Sequence, residues 1–489
     1  MTSAAMGTKV ALSHRTTCVK LVFSAKLRRR SNRHGDTRGS STALFPGEEL
    51  SLIINGSDRL RLVQHAGDEI RDRQRSLPDK GFYLRKLSET WQRAGRTEAY
   101  AGLPEYSFAR FEKLGTTSKY RLKKTPYEFL AAPIDAAAKY YETTGTTGLP
   151  TPTPRLPEDI IWNTVSVAEA WRDLLPENER VLIMLPSDIV PVADLIVGVC
   201  EYLGRPHTRA YPFATGISDW DRLIGLCRSF RPTTVFAAPG VALQFSRLVK
   251  QRGLLAELSA DVNRMMLLGE VSTAPFRTRL GRWWNASALD ASYGSTETGT
   301  LAAGCARDRL HLLTATNYFE LADDDGTVRP LPESGAGRLV VTPLNLHARC
   351  VLRLDTGDDV RLGARCDCGD RAPVIEVVGR GSDAVAVRGA KLTVRAVEEV
   401  VYGETEATGY LMETDAPGAF ARLILERDVH WDRAGEATMA DRLQHSSREV
   451  LGLEWDEVLF VNQLPASTKS GASQKSWKRS NFRVVGAGG

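Results

Sequence analysis

The sequence predicts an α/β protein: a large domain with helices covering parallel or mixed sheets, a β-rich subdomain, and a small α+β domain at the end. Between residues 180 and 268, short apolar runs alternate with helical patterns, which is typical of a covered parallel sheet. From Leu310 onward the sequence predicts mainly β-strands, one of them at Arg338–Thr342. Mixed helix and strand patterns follow Gly379.

The first strong helix signal comes early in the chain. Four apolar residues recur at helical spacing within the segment from Leu84 to Gly102, namely Leu84, Leu87, Trp91 and Ala94. The segment Arg180–Leu185 then predicts a buried strand. The following segment, Asp188–Leu203, predicts a helix that Gly204 ends.

The same alternation continues along the chain. We predict strands at Thr233–Ala238 and Met265–Leu268, with a helix from Pro239 to Lys250 between them. In such sheets ligand sites form at the carboxyl ends of the strands, so the loops that follow these strands are the candidate site.

Composition narrows the class of protein. The net charge of +5 is small for 489 residues and argues against a nucleic-acid partner. Seven scattered cysteines favour a reducing, cytoplasmic environment over a disulfide framework. The most apolar run, Val181–Cys200, is interrupted by Asp188, Pro191 and Asp194, so we expect a buried strand and helix and no membrane span.

The first 45 residues differ from the rest. Residues 1–35 contain no Asp or Glu and include Arg28, Arg29 and Arg30. A targeting peptide or a nucleic-acid-binding tail are the functional alternatives, and we favour a poorly ordered basic extension.

A run of hydroxyls and glycines forms a candidate phosphate loop. It spans Thr143-Thr144-Gly145-Thr146-Thr147-Gly148. Glycines let backbone amides approach a ligand closely, and successive N–H groups can cradle a phosphate. The spacing and lysine of a Walker loop are missing. A flexible Thr/Gly loop is the alternative that composition alone leaves open.

Further motifs follow in order: Ser292-Tyr293-Gly294-Ser295-Thr296-Glu297, Asp355-Thr356-Gly357-Asp358, Gly379-Arg380-Gly381-Ser382-Asp383 and Val387-Arg388-Gly389. The ordered set resembles the adenylate-forming superfamily of acyl-CoA synthetases, adenylation domains and luciferases. It is most similar to the phenylacetate–CoA ligase branch. The segment Phe108–Pro133 and the insertion Cys366-Asp367-Cys368-Gly369 carry that closer likeness.

The resemblance implies domain boundaries and nucleotide contacts. It implies an N-terminal adenylate-forming domain at residues 46–378 and a mobile C-terminal domain at 379–489. The phosphate loop would hold the β- and γ-phosphates of ATP. Thr296 would contact the α-phosphate, and Glu297 would bind Mg²⁺, a hard cation that prefers oxygen ligands. Asp358 would accept hydrogen bonds from both ribose hydroxyls.

Other residues receive implied roles on the same basis. Gly269 and Glu270 would precede the adenine-side loop, and Tyr293 and Gly294 would also bind the nucleotide. Tyr293 would stack on adenine or line the acid pocket. Arg380 would contact ribose and phosphate. The family's hinge position falls on Ser382, where Asp or Lys is usual.

A catalytic lysine is implied near the C-terminus. The family's Gly-Lys pair is missing, and Lys469, Lys475 and Lys478 follow Leu464-Pro465. Lys475 fits best by its spacing to Lys478, and a basic flexible tail is the alternative.

Three thiols and an imidazole form a second constellation: Cys305, His311, Cys366 and Cys368. This donor set suits a structural Zn²⁺, which some relatives in the branch carry at corresponding positions. Buried reduced cysteines are the alternative.

The branch favours aromatic acids, and candidate pocket walls are Tyr140, Phe236, Ala238, Pro239 and Tyr293. We therefore expect an AMP-forming ligase that adenylates an aromatic acid with ATP and transfers the acyl group to CoA. One alternative is a secondary-metabolism enzyme that transfers to an amine or carrier protein, or activates nitrite to diazotise an arylamine. The other is a non-catalytic nucleotide-binding relative.

Overall fold

The computed structural model describes residues 57–73, 78–143, 150–188, 190–214, 216–380, 384–465 and 481–485. The predicted basic extension, most of the phosphate loop, Ser382 and the three C-terminal lysines lie outside these residues. The helices are α1 (Ser57–Arg73), α2 (Lys80–Ala94), α3 (Phe108–Lys113), α4 (Lys119–Lys124), α5 (Pro157–Trp171), α6 (Val192–Leu203), α7 (Trp220–Phe230), α8 (Pro239–Gln251), α9 (Leu255–Ser259), α10 (Ala274–Trp284), α11 (Val394–Glu404) and α12 (Glu436–Ser446).

The strands are β1 (Thr117–Ser118), β2 (Lys139–Glu142), β3 (Pro152–Arg155), β4 (Val181–Met184), β5 (His207–Arg209), β6 (Thr234–Ala237), β7 (Arg264–Leu268), β8 (Ser287–Ser295), β9 (Gly299–Gly304), β10 (Leu310–Leu312), β11 (Asn317–Ala322), β12 (Val328–Pro330), β13 (Gly335–Pro343), β14 (Leu354–Leu362), β15 (Val374–Gly379), β16 (Val385–Val387), β17 (Ala390–Leu392), β18 (Gly409–Asp415), β19 (Ala421–Glu426), β20 (Glu457–Val461) and β21 (Phe482–Val485).

One large mixed sheet organises the molecule. Its order is β12-β11-β13-β14-β15-β10-β9-β8-β7-β6-β4-β5, and β1 adds to β14. The strands β5, β4, β6, β7 and β8 run parallel, whereas β9 onward pair antiparallel. The predicted α/β class is therefore confirmed, with the parallel half preceding the β-rich half.

The parallel strands are buried because helices cover them. All four residues of β4 and all four of β6 are buried, which explains their continuous apolar sequence. Pro239 opens α8 directly after β6, as predicted, because proline's fixed φ suits the first helical turn.

Two predicted helix boundaries are wrong. The helix predicted over Leu84–Gly102 is α2, which ends at Ala94, where Gly95 terminates it. The helix predicted from Asp188 begins only at Val192, because Pro191 disfavours helical backbone in the residue before it. Its end is as predicted: Gly204 adopts φ +67° and caps α6.

The described residues after Gly379 form two smaller sheets and the α-helices α11 and α12. The β16–β17 hairpin precedes α11, and β20-β19-β18-β21 form a four-stranded sheet. Apolar residues of this region, such as Val397 and Tyr410, join the same buried cluster as the parallel sheet. Among the described helices, none combines the length and apolar character needed to cross a membrane.

Candidate active site

The centre of the candidate site is the carboxylate of Asp358. Thr356, Gly357 and Asp358 bulge out of β14, since these three residues lie opposite Leu339 alone on β13. Gly357 adopts φ +67°, a conformation that glycine reaches without strain. The bulge projects Asp358 out of the regular ladder.

Three side chains surround this carboxylate. The Tyr293 hydroxyl donates to Asp358 Oδ2 at 2.7 Å, and Arg380 Nε donates to Oδ1 at 2.7 Å. The Lys119 ammonium lies 3.7 Å from Oδ2. Burial and the Asp358 carboxylate raise the pKa of Tyr293 well above its usual value, so the phenol stays protonated and donates.

Sheet pairing explains why these residues meet. Gly379 pairs with Asp359, so Arg380 follows directly beside Asp358. Gly294, next to Tyr293, lies so close to β9 that an added Cβ would fall 2.3 Å from the Gly299 carbonyl oxygen. Only glycine fits there, which accounts for the Tyr-Gly pair in the motif.

Lys119 is the residue that sequence reasoning missed. The two residues of β1 pair in parallel with the start of β14, placing Lys119 at the N-terminus of α4 beside the bulge. Burial lowers the pKa of its ammonium, although Asp358 opposes that effect. The Thr117-Ser118-Lys119-Tyr120 run carried the family likeness, but nothing in it signalled proximity to Asp358.

Glu297 lies in the turn between β8 and β9 and is 7% exposed. Burial opposes its ionisation. The Lys119 ammonium, its own backbone amide and the Ser295 hydroxyl outweigh that effect, so its pKa lies below the usual range. Lys119 therefore interacts with both Asp358 and Glu297, and the three residues form one charged cluster. Thr296 is half-buried next to Glu297, and its carbonyl accepts from Arg155.

The ends of the predicted phosphate loop are held together. Thr143 N donates to Thr151 O, and Thr151 N donates to Thr143 Oγ1. The strands β2 and β3 continue this pairing away from the loop. Thr144, Gly145, Thr146, Thr147 and Gly148 lie outside the described residues.

The loop predicted to lie on the adenine side follows β7. Gly269 adopts φ +92°, and Glu270 accepts a hydrogen bond from Gly240 N at the start of α8. Glu270 therefore links the loops that follow β6 and β7, at the carboxyl edge of the sheet where the rule for α/β proteins places ligand sites.

The predicted pocket walls differ in exposure. Tyr140 is 44% exposed, whereas Phe236 and Ala238 have no exposed surface and Pro239 is buried. Phe236 packs against Trp171 with ring centroids 5.3 Å apart, which is the environment of a core aromatic. The assignment of all these residues to an acid pocket stays a prediction.

The Cys/His constellation forms a compact cluster. The donor atoms of Cys305, His311, Cys366 and Cys368 lie within 4.8 Å of one another. The Cys305 and Cys366 sulfurs are 3.8 Å apart, and the Cys368 sulfur is 3.4 Å from His311 Nε2. A tetrahedral zinc with Zn–S bonds of about 2.3 Å requires S–S separations near ~3.8 Å.

The histidine is oriented for such a role. His311 Nδ1 lies 3.0 Å from the Ala372 carbonyl oxygen, to which it can donate. With Nδ1–H donating to that carbonyl, Nε2 carries the lone pair that can coordinate a metal, which is the usual arrangement in metal-bound histidines. The described donor set therefore fits a closed, structural zinc.

Comparison with known proteins agrees with this architecture. The chain is 24% identical over 369 residues to a phenylacetate–coenzyme A ligase of Escherichia coli, covering 72% of this chain and 81% of that one. It is 22% identical over 368 residues to the ligase of that name from Aromatoleum evansii, covering 71% and 80%. No family model matches the chain.

Among solved structures, the fold is similar to a 2-hydroxyisobutyryl-CoA ligase in the postadenylation state, bound to 2-HIB-AMP. The TM-score is 0.69 at 17% identity, covering 84% of this chain and 90% of that one. The fold is that of the adenylate-forming ligases. In sequence the chain is similar to enzymes named phenylacetate–coenzyme A ligases.

Proposed function

We propose that the protein is an ATP-dependent acid–CoA ligase that adenylates an aromatic carboxylic acid and then transfers the acyl group to CoA. The observation that carries this proposal is the charged cluster in which Lys119 interacts with both Glu297 and Asp358. A carboxylate with hydrogen-bonding neighbours suits ribose hydroxyls. The adjoining ammonium suits the charge that develops when the α-phosphorus is attacked.

In the first half-reaction an oxygen of the substrate carboxylate attacks the α-phosphorus of ATP. The bond to the β-phosphate oxygen breaks, giving acyl-AMP and pyrophosphate. Catalysis of such a transfer depends on positioning and electrostatic stabilisation. Asp358 would hold the ribose with Arg380 beside it, and Lys119 would stabilise negative charge at the α-phosphate.

The Glu297 carboxylate suits a magnesium ion, because it is buried, ionised and an oxygen donor. A bound Mg²⁺ would neutralise phosphate charge. The Ser295 hydroxyl and the Lys119 ammonium keep the Glu297 carboxylate in its charged form.

In the second half-reaction the CoA thiolate attacks the acyl carbon, a thioester forms, and AMP leaves. A second structure of the 2-hydroxyisobutyryl-CoA ligase shows that enzyme in the thioesterification state, bound to 2-HIB-AMP and CoA. Its fold matches 87% of this chain with a TM-score of 0.53. That likeness supports CoA as the acceptor to test first.

An aromatic substrate is supported by similarity to enzymes named phenylacetate–coenzyme A ligases. The predicted walls Tyr140 and Tyr293 would offer flat, polarisable surfaces to a ring. The Cys/His cluster would hold a structural zinc and keep the loops around residues 305 and 366 together, outside the reaction itself.

The test is product analysis with purified protein, ATP and Mg²⁺. Benzoate, phenylacetate and cinnamate, with their amino-substituted forms, are each supplied with and without CoA and nitrite. We expect pyrophosphate release that needs an aromatic acid, and acyl-CoA formation that needs CoA. The Asp358→Asn variant, which keeps the shape of the side chain, serves as the matched control and should lose activity.

Other outcomes would redirect or reject the proposal. Turnover of aliphatic acids alone would exclude the aromatic class. Consumption of nitrite and an arylamine would favour diazotisation, and transfer only to an amine would exclude CoA ligation. An absence of AMP formation under every condition would favour a non-catalytic nucleotide-binding protein.

A further inference from the structure

Arg353, the residue before β14, combines a left-handed backbone with a buried side chain. Its φ is +47°, and the residue is 4% exposed. Residues with large side chains avoid this conformation, because it brings Cβ too close to the following carbonyl oxygen. A strained residue of this kind persists only where the contacts around it determine its conformation, and such residues are concentrated at functional sites.

The Arg353 guanidinium joins two separate elements. Its Nε and Nη2 donate to the two carboxylate oxygens of Glu320 on β11, each at 3.0 Å, and Glu320 is 2% exposed. Its Nη1 donates to the carbonyl of Glu112 at 2.7 Å and to that of Leu114. Because the bidentate pair with Glu320 fixes the plane of the guanidinium, the end of α3 is held in one orientation against the sheet.

The backbone of Arg353 holds the strand that follows α3. Arg353 N donates to Thr342 Oγ1 on β13 at 2.9 Å, and its carbonyl accepts from Thr117 N on β1 at 2.9 Å. Leu114 and Thr117 are therefore both bound to one residue. The two residues between them are exposed, so the contacts with Arg353 fix the path of this stretch into β1.

The position of Lys119 depends on this attachment. In β1, Thr117 pairs with Leu354, and the next residue pairs with Asp355. The Lys119 ammonium then lies 3.7 Å from Asp358 Oδ2, in the bulge of the same strand. A shift of β1 by one residue would displace Lys119 by about 3.3 Å and turn its side chain to the other face.

We infer that Arg353 is a positioning residue, which holds β1 in register with β14 and so keeps the Lys119 ammonium beside Asp358. Its importance for adenylation rests on the proposed function, in which Lys119 stabilises charge at the α-phosphate. The competing explanation is that the pair of Arg353 and Glu320 only stabilises the fold. Loss of the pair would then lower stability without a selective effect on β1.

The first test is hydrogen–deuterium exchange of Arg353→Lys, followed by mass spectrometry. Lysine keeps the charge beside Glu320, but its single nitrogen cannot reach the carboxylate and both carbonyls in the geometry of the guanidinium. We expect amide exchange in residues 115–122 to increase by roughly tenfold or more, and exchange in β6 to stay unchanged, because only the local attachment is lost. This measurement requires no turnover.

The second test is acid-dependent ATP–pyrophosphate exchange with the same variant. We expect kcat to fall by roughly tenfold and the KM for ATP to change less, because a displaced ammonium stabilises the transition state poorly. In the Lys119→Met background, Arg353→Lys should cause no further loss, since its effect passes through that ammonium. Additive losses would show that Arg353 acts independently of Lys119.

The matched control is Arg264→Lys. Arg264 also donates to a carbonyl and a carboxylate, those of Leu174 and Glu179, but at the amino end of β7. It should leave both kcat and the exchange of residues 115–122 unchanged. If Arg353→Lys does not fold, the double variant Arg353→Gly with Glu320→Gln removes both charges together and relieves the left-handed strain. The same selective increase in exchange is expected of it.

The outcomes separate this inference from the proposed function. A uniform increase in exchange across the sheet would overturn the positioning role of Arg353 and leave the ligase proposal standing. A lower melting temperature with unchanged kcat and unchanged exchange in residues 115–122 would do the same. Wild-type protein that adenylates no acid would refute the proposed function, whereas a selective increase in exchange would still support the placement of Lys119 by Arg353.

Discussion

Lys119 owes its position to a strand of only two residues. Thr117 N donates to Arg353 O, and the Thr117 hydroxyl contacts the Tyr100 hydroxyl at 2.7 Å. These contacts seat β1 on β14 and aim the next residue at Asp358. The Lys119 ammonium is desolvated and lies near two carboxylates. These charges hold the ammonium in one position more firmly than water would hold a lysine on the surface, so it is already placed for an incoming anion.

We predict that Lys119→Met reduces the rate of adenylation by roughly 10²–10³-fold, because a preorganised charge at the transition state is removed. The measurement is acid-dependent ATP–pyrophosphate exchange. Lys124→Met, an exposed change on the same helix, should leave exchange unchanged.

Parallel measurement of Lys475→Met compares this residue with the lysine predicted from the C-terminal motif. Full exchange in Lys119→Met together with loss in Lys475→Met would assign the role to the C-terminal residue. Loss in both variants would mean that the two lysines act in the same step.

The order of the motifs predicted Asp358, Arg380, Tyr293 and Glu297 as site residues. Each of them lies in or next to the strand whose sequence carries its motif, so a local pattern was sufficient to find it. The contact between Lys119 and Asp358 depends on β1 pairing with a strand far along the chain, and no local pattern encodes that pairing.

At the scale of elements, β8 carries a half-buried acid, Asp290, as well as the Tyr-Gly motif. Burial raises the pKa of Asp290 to about 7, with Arg277 and Asp308 nearby. An aspartate in the unfolded chain ionises near pH ~3.9, so between these values the folded state binds the extra proton. Stability from this group is therefore present at low pH and is lost as pH rises toward 7.

We predict that thermal stability falls between pH 5 and pH 7 with a contribution of up to about 1.4 kcal/mol per pH unit from this one proton. Asp290→Asn, which stays neutral, should flatten that part of the profile. Melting temperatures measured across the range give the result. A slope equal in wild type and variant would show that Asp290 does not bind this proton.

The predicted metal-ligand cluster also joins several secondary-structure elements. Cys305 lies just beyond β9, and His311 lies on β10, while Cys366 and Cys368 come from the loop between β14 and β15. One ion would bridge these elements. Because the unfolded chain has no preformed site, the ion would bind only the folded protein and would therefore stabilise it.

We predict that purified protein contains about one equivalent of zinc and that Cys366→Ser lowers both the zinc content and the melting temperature. Cys200→Ser is the control, since this buried cysteine lies in α6, outside the cluster. Equal zinc content in wild type and Cys366→Ser, measured by elemental analysis, would rule out the predicted site.

At the scale of the whole molecule, the predicted boundary at residue 379 crosses a buried interface. Arg279 on α10 donates to the carbonyls of Tyr402, Thr405 and Ala407, and its guanidinium lies 4.8 Å from the Tyr402 ring centroid. Glu426 accepts from Arg247 at 2.6 Å and from Leu464 N at 3.0 Å. Leu464 precedes the segment with the C-terminal lysines, so the same carboxylate ties the residue before that segment to α8.

The predicted mobility of residues 379–489 therefore has an energetic requirement. A rotation that separated α10 from α11 would leave the guanidinium of Arg279 and three carbonyls in need of water or new partners. It would also expose part of a continuous apolar cluster. If the C-terminal part moves between half-reactions, the contacts made after rotation must offset these losses.

We predict that Arg279→Met weakens this interface by about 2–4 kcal/mol, because buried carbonyls lose a charged donor. The result should be a lower melting temperature and faster proteolytic release of a C-terminal fragment.

Arg282→Met is the matched control on the same helix. Its pair with Glu406 is exposed, and such pairs contribute at most about 1 kcal/mol. Equal melting temperatures and proteolysis rates in the two variants would show that Arg279 does not hold the interface. A selective change in one half-reaction in Arg279→Met would link the interface to the predicted rotation of the C-terminal part.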